Sequence, residues 1–299
     1  MQLDRTYIAI RPRSLFEIFD LALHVIRDHF RRLFVLWLIG ATPLALLNWM
    51  LIGWMADVRF ANDDYLVAYF FLQALLIINQ TQVASVFITA YLGAAMFEDQ
   101  TLARQAIRKV FSTNPYLFWS HGVLRGVFPL ILVVSLIGEA LAPEDLVLSC
   151  LGATAVAGIG LMVRVWRPFV NEILVLEKTP IKKRRGTAIR FAARSAHLHD
   201  SRNGGLVGRF CLVSLVAVPL TMMVWGCLNL VNSTLNVFSG SELDPAVVFF
   251  PLAAWVVSGF VAVIRFLAYI DTRIRQEGWD VELLIRAQAS RLSEVGVGR

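Results

Sequence analysis

The fold class this sequence predicts is all-α and polytopic in a membrane, and three observations predict it. Of 299 residues, 57% are hydrophobic and 17% are charged, whereas soluble domains run at about 45–50% apolar and about 25% charged. Mean hydropathy is +0.63. Six stretches carry the roughly 20 apolar residues a membrane helix needs, and the connections between them alternate in charge.

The head, 1–32, reads as a cytoplasmic amphipathic helix lying at the membrane interface. In RSLFEIFDLALHVIRDHFRRLF (13–34), Leu15, Phe16, Phe19, Leu23, Ile26 and Phe30 recur at three- and four-residue steps, which makes one helical face. Ser14 with Glu17 three residues on is a capping-box pattern. The transmembrane domain, 33–271, holds spans at about 33–55, 66–97, 117–141, 146–176, 207–234 and 246–270. The tail, 272–299, reads as a cytoplasmic amphipathic helix. No cleavable leader is evident in the first 30 residues, which contain Asp4, Glu17, Asp20 and Asp28, so the first span is expected to target the chain.

Charge sets the direction of the spans. The head carries Arg5, Arg11, Arg13, Arg27, Arg31 and Arg32, and the next connection has Asp57, Asp63 and Asp64 against Arg59 alone. Arg104, Arg108 and Lys109 come third, then Glu139, Glu144 and Asp145 without a base. The fifth connection holds Lys178, Lys182, Lys183, Arg184, Arg185, Arg190, Arg194 and Arg202, and the sixth has Glu242 and Asp244. Basic loops stay inside, so both termini are expected in the cytoplasm.

The second and fourth apolar runs each reach about 30 residues or more, or about 45 Å, against a hydrocarbon core of about 30 Å. They must tilt, break or project. An acidic residue and then a basic amphipathic segment follow each descending run: MFEDQTLARQAIRKVF (96–111), VLEKTPIKKRRGTAIRFAARS (175–195) and YIDTRIRQEGWDVELLIRAQA (269–289). The chain therefore reads as three copies of one unit, an interfacial helix followed by two spans. Bases near an anionic leaflet gain about 1 kcal/mol each, which makes Lys182, Lys183, Arg184 and Arg185 candidates for anionic phospholipid. Trp279, Leu284 and Ile285 in the tail are candidates for docking on lipid or on a protein partner.

Polar residues inside the spans are candidates for function. NQTQ (79–82) interrupts the second span, so Asn79, Gln80 and Gln82 mark either helix–helix hydrogen bonding or a wet break. Arg125, Arg164, Arg167 and Arg265 either snorkel to the interface or form an anion site facing the cytoplasm. Composition shows no short discontinuous helices of the ion-coupled transporter kind. It also shows no acid in the middle of a span, so a proton relay is not expected.

Enzyme signatures are missing from the sequence. HLHD (197–200) places its two histidines at i, i+2, off a shared helix face, and no second ligand cluster or HExxH completes a metal site. RNGGLVG (202–208) lacks the spacing of a nucleotide loop, and no GxSxG occurs. Cys150, Cys211 and Cys227 lie in apolar runs and read as packing residues. No cofactor is expected, and the basic loop is explained by lipid without nucleic acid.

The head RPRSLFEIFDLALHVIRDHFRRLF (11–34), the segments LEKTP (176–180) and AIRFAARS (188–195), and the tail YIDTRIRQEGWDVEL (269–283) resemble one family. It comprises bacterial six-span integral membrane proteins, related to the membrane domain that precedes some glycerophosphodiester phosphodiesterases. The resemblance implies the six-span fold and an inner-membrane location, and it implies no settled activity. No residues after the tail helix would form a catalytic barrel, so the phosphodiesterase chemistry is not carried over. Two functions remain open: a non-enzymatic scaffold or accessory subunit that binds anionic lipid or a partner, as a monomer or an oligomer, and a transporter of a lipid or small amphiphile that uses the arginines and NQTQ.

Overall fold

The computed structural model describes residues 14–56, 63–96, 118–137, 143–177, 191–200, 203–235 and 244–277, together with Phe238 and a few positions between 104 and 111. Every regular element among them is helical. Five helices are long and apolar enough to cross a membrane: Leu15–Ala56, Asp64–Ala95, Asp145–Trp166, Val207–Leu235 and Pro245–Arg275. Arg184 and Arg185, Lys182 and Lys183, and the tail candidates Trp279, Leu284 and Ile285 lie outside the described residues.

Helix α1 (Leu15–Ile52) opens on the capping box expected at Ser14 and Glu17. Glu17 Oε2 accepts from the Ser14 backbone N–H at 2.7 Å and Ser14 Oγ accepts from the Glu17 N–H at 3.3 Å, so two otherwise orphaned donors are satisfied reciprocally. At His29 the backbone leaves helical geometry (φ −111°, ψ 16°) and α1 kinks. Before the kink Ile18 and Ala22 are buried while Phe16 and Leu23 are exposed, and Phe30, just past the kink, is exposed as well. Gly40 lets α1 approach the second long helix: a Cβ there would stand 2.2 Å from the Ala84 carbonyl oxygen.

That second helix is α2 (Asp63–Ala84), which continues after one irregular residue, Ser85, as α3 (Val86–Ala95). The third apolar stretch departs from the uninterrupted span expected over 117–141. A π-helical turn, Phe118–Leu124, ends at Arg125, Gly126 takes φ +75°, and a nine-residue helix, α4 (Val127–Ser135), follows. The left-handed conformation is open to glycine without steric cost, so the chain changes direction there. The fourth stretch also breaks. Helix α5 (Pro143–Trp166) stops, Arg167–Phe169 form a turn, and a short α6 (Val170–Glu172) runs into a π-helical turn, Ile173–Glu177. A break is one of the outcomes that the length of the fourth run allows, whereas the break in the third departs from the expectation that short discontinuous helices are not evident. Hydropathy averages over a window and does not register a single left-handed residue.

Helix α7 (Phe191–Asp200) buries Ser195 and Leu198. Helix α8 (Asn203–Leu235) is peripheral, with none of its most apolar stretch buried. It packs chiefly along α9 (Pro245–Glu277).

Two apolar cores sit one behind the other along the bundle. One gathers Ile52 and Met55 of the α1 end, Tyr69, Leu72 and Leu76 of α2, Leu130 and Val134 of α4, Leu146 and Ala153 of α5, and Val247 of α9. These residues adjoin the three acidic connections, so we call this the acidic end. The other, at the basic end, gathers Leu36, Ala84, Tyr91, Ile173, Val175, Phe266, Tyr269 and Ile274 among others. Where the two cores meet lies a layer of buried polar residues.

Candidate functional site

The polar layer begins with α1 and α2. Gln80 Nε2 donates to Asn48 Oδ1 at 2.7 Å, with both residues fully buried. With the Gly40–Ala84 approach, this bond sets α1 residues 40–48 level with α2 residues 80–84. Leu44 is the midpoint of the span predicted over 33–55, so the layer lies near the middle of that span.

Arg164 enters from α5. Its Nη1 donates to the Ile78 carbonyl at 2.7 Å. Its Nη2 donates to Asn79 at both the backbone carbonyl (2.5 Å) and Oδ1 (2.6 Å), and more distantly, at 3.5 Å, to the Arg125 carbonyl. Arg125 stands at the first chain break and reaches the second, where its Nη2 donates to the Arg167 carbonyl at 2.5 Å. A helix break inside a bilayer leaves backbone groups that water cannot reach, and each must find a partner within the protein. The two arginines meet that need here. Gly160 of α5 makes the approach feasible, since a Cβ there would stand 2.6 Å from the Arg125 carbonyl oxygen and 3.2 Å from Asn79 Oδ1.

A second group adjoins this one toward the basic end. Arg265 of α9 donates through Nε to Glu172 Oε1 at 3.0 Å, through Nη1 to Gln82 Oε1, and through Nη2 to Ser85 Oγ at 2.9 Å. Asn171 Nδ2 donates to the Gln82 carbonyl at 2.8 Å and to Ser85 Oγ at 3.2 Å. The irregularity at Ser85 is therefore held by α6 and α9 together.

Of the residues singled out in the sequence, Asn79, Gln80, Gln82, Arg125, Arg164 and Arg265 come together in this layer. Arg167 contributes only its carbonyl, because its side chain is exposed. The sequence also places His121 one turn before Arg125 and Glu172 near Arg164 and Arg167, and His121 and Arg125, at i, i+4, share a helix face; Asn171, Asn48 and Ser85 carry no such signal. His121 is 1% exposed and Glu172 0%. His121 is within electrostatic reach of Arg125, Arg164 and Arg265, and Arg125 is within reach of Glu172.

Several atoms of the layer are fully buried without a hydrogen-bond partner among the described residues. The donors are Arg125 Nη1, Arg164 Nε and Asn79 Nδ2, and the acceptor is Glu172 Oε2; the buried His121 ring lies within reach of the Asn171 side chain, with which it can share a hydrogen bond. Charge is unbalanced as well. Among the described residues of the layer, two buried guanidinium groups, Arg125 and Arg164, and the largely buried Arg265, at 10% side-chain exposure, face one buried carboxylate, Glu172, and three less one leaves two positive charges in excess. Uncompensated charge away from water costs several kcal/mol per ion, so such a layer favours an anion.

Ion pairs close the bundle at the basic end. Glu177 receives Arg194 of α7 on both oxygens, at 2.6 and 2.9 Å, and the Tyr269 hydroxyl at 2.8 Å. Asp271 is paired with Arg209 of α8 and Arg275 of α9, each at 2.9 Å. Burial pushes the Glu177 carboxyl up, but the bonds from Arg194 and Tyr269 and the Arg273 charge outweigh it and hold the group below its ordinary value. No group of three or more metal-ligating side chains occurs among the described residues. No family model matches this chain, and neither a curated protein nor a solved structure shows significant similarity to it.

Proposed function

We propose that this protein is a multi-pass carrier of an anionic lipid or small anionic amphiphile, with the polar layer as its binding site. One observation carries the reading. The arginines and the NQTQ segment, far apart in the sequence, hydrogen-bond one another between two apolar cores, beside two broken helices. Carriers commonly bind their cargo near the bilayer midplane, where discontinuous helices expose backbone and side-chain polar groups. The proposal includes six crossings in three interfacial-helix/span/span units, with both termini cytoplasmic in a bacterial inner membrane, as the family resemblance implies. Anionic phospholipid around the basic segments is part of the same reading, and no catalytic step is assigned.

The test is flux. Purified protein is reconstituted into vesicles, and translocation of a short-chain fluorescent phosphatidylglycerol is followed. The double substitution Asn79→Leu, Gln82→Leu removes two bonding partners of the arginines, and it is expected to abolish flux in protein that still inserts. Equal flux in the variant and the wild type, or none in either, would sink the carrier reading.

A scaffold or accessory-subunit role is the second reading, and α1 favours it. Phe16, Leu23 and Phe30 are 77%, 58% and 55% exposed, while Ile18 and Ala22 turn inward, as in helices that lie in the headgroup region. A protein without flux that co-purifies from native membrane with a defined partner would support it.

A further inference from the structure

We propose that the polar layer binds an oxyanion of the phosphate class, held by Arg125, Arg164, Asn79 and His121. The inference rests on the reading of the layer as a ligand site and names the ligand's chemistry. Each of these side chains is at most 2% exposed and carries a buried polar atom without a partner among the described residues. Arg164 bonds Asn79 directly and reaches the Arg125 carbonyl. Gly160 faces both the Arg125 carbonyl and Asn79 Oδ1, so the Arg125 backbone, Asn79 and Arg164 meet at one level of α5.

Donor count and charge select the class. Arg125 Nη1, Arg164 Nε and Asn79 Nδ2 are fixed donors, and a neutral His121 ring adds one more. Donors of this kind suit a ligand with several acceptor oxygens and a full negative charge. The two excess positive charges suit one that is singly or doubly charged. The unpartnered Glu172 Oε2 adds a further requirement, because a carboxylate oxygen can only accept. A phosphate that retains a proton carries an O–H to give it, and sulfate at neutral pH does not. Inorganic phosphate and a phosphomonoester lipid headgroup share this chemistry.

The experiment uses the full chain in phosphatidylcholine nanodiscs with radiolabelled inorganic phosphate, radiolabelled sulfate and dioctanoyl phosphatidic acid as probes. Expected is saturable binding of phosphate or of the short-chain lipid, with sulfate at least about tenfold weaker. Arg125→Gln should weaken binding by about tenfold or more, the scale of one hydrogen bond to a charged group. Arg104→Gln, on an exposed residue, should leave it unchanged. His121→Leu guards against a misfolded arginine variant. It replaces a buried neutral ring by an apolar side chain without touching an ion pair, so its Tm should stay close to that of the wild type while binding falls.

Binding of inorganic phosphate identifies a free anion as the source, and binding of dioctanoyl phosphatidic acid alone identifies a lipid headgroup; either supports the proposal. It is overturned if neither probe binds, if sulfate binds as tightly, or if Arg125→Gln and His121→Leu bind as the wild type does. Flux of a phosphate-free anionic amphiphile with no phosphate binding would sink this inference and spare the carrier reading. Phosphate binding without flux of any lipid would do the opposite.

Discussion

Gly158 and Gly160 stand two residues apart on α5 and face different surroundings. An added Cβ at Gly158 meets nothing within 4 Å, whereas at Gly160 it meets the Arg125 carbonyl oxygen at 2.6 Å. That obstacle is backbone and cannot rotate away. Gly160→Ala must therefore push the chain break at Arg125–Gly126 off α5 and stretch the Arg164–Asn79 bonds. Overpacking of this kind costs about 1–3 kcal/mol, and thermal unfolding in detergent should show a clear fall in Tm. Gly158→Ala should leave Tm unchanged or raise it slightly, since alanine in an open helical position gains up to about 1 kcal/mol over glycine. Equal Tm values for the two variants would remove Gly160 from the site.

At the scale of elements, α7 is tied to the bundle through Glu177 as well as through Leu198 and Phe191, which pack in the core at the basic end. Arg194 bonds both Glu177 oxygens and Tyr269 bonds one of them. The folded carboxyl titrates below its ordinary value, so the unfolded or undocked form takes up its proton first as pH falls. The stabilisation is complete above the ordinary carboxylate range and is lost as pH drops through the folded value. The protection of α7 amides, relative to their intrinsic exchange rate at each pH, should therefore fall below about pH 4.5, near the unperturbed glutamate range. Glu177→Gln should show the lower protection already at pH 7, with little further change on acidification. Protection of α7 that is the same at pH 7 and pH 4 in the wild type would refute this. The sequence reads the basic segments as lipid anchors and places Arg194 and Asp271 in two separate copies of one repeated pattern. Asp271–Arg275 follows helical i, i+4 spacing, whereas Arg194–Glu177, 17 residues apart, and Arg209–Asp271, between α8 and α9, follow no periodicity. The apolar helices and the Ser14–Glu17 cap were legible because they depend on neighbours within a few positions. NQTQ and the arginines were legible as anomalies in apolar runs, but their meeting was not. It depends on Gly126 adopting φ +75° and on Gly40 and Gly160 admitting close approach, which are properties of backbone and packing.

At the scale of the whole molecule, the number of crossings decides where the termini lie. Five helices qualify as spans by length and apolarity among the described residues, and an odd number would place the two ends of the chain on opposite sides. The proposed topology keeps both ends on one side, and in it the stretch 118–137 supplies the sixth crossing. Its surface is suited to lipid. Trp119 and Val123 are exposed one turn apart, and Phe128, Leu132 and Leu136 continue the exposed face beyond the break. His121 and Arg125 point inward and are buried. The segment is apolar toward lipid and charged toward the bundle, and a hydropathy average that counts both faces undervalues it. Such a segment is tolerated in a bilayer because its broken backbone is buried in protein. Fusions of green fluorescent protein and of alkaline phosphatase to each terminus would report the side directly, since the first fluoresces in the cytoplasm and the second is active only outside it. Fluorescence at both ends, with no phosphatase activity at either, is the expected result. Phosphatase activity at one terminus alone would leave five crossings, place 118–137 as a re-entrant segment, and open the polar layer to one side of the membrane only.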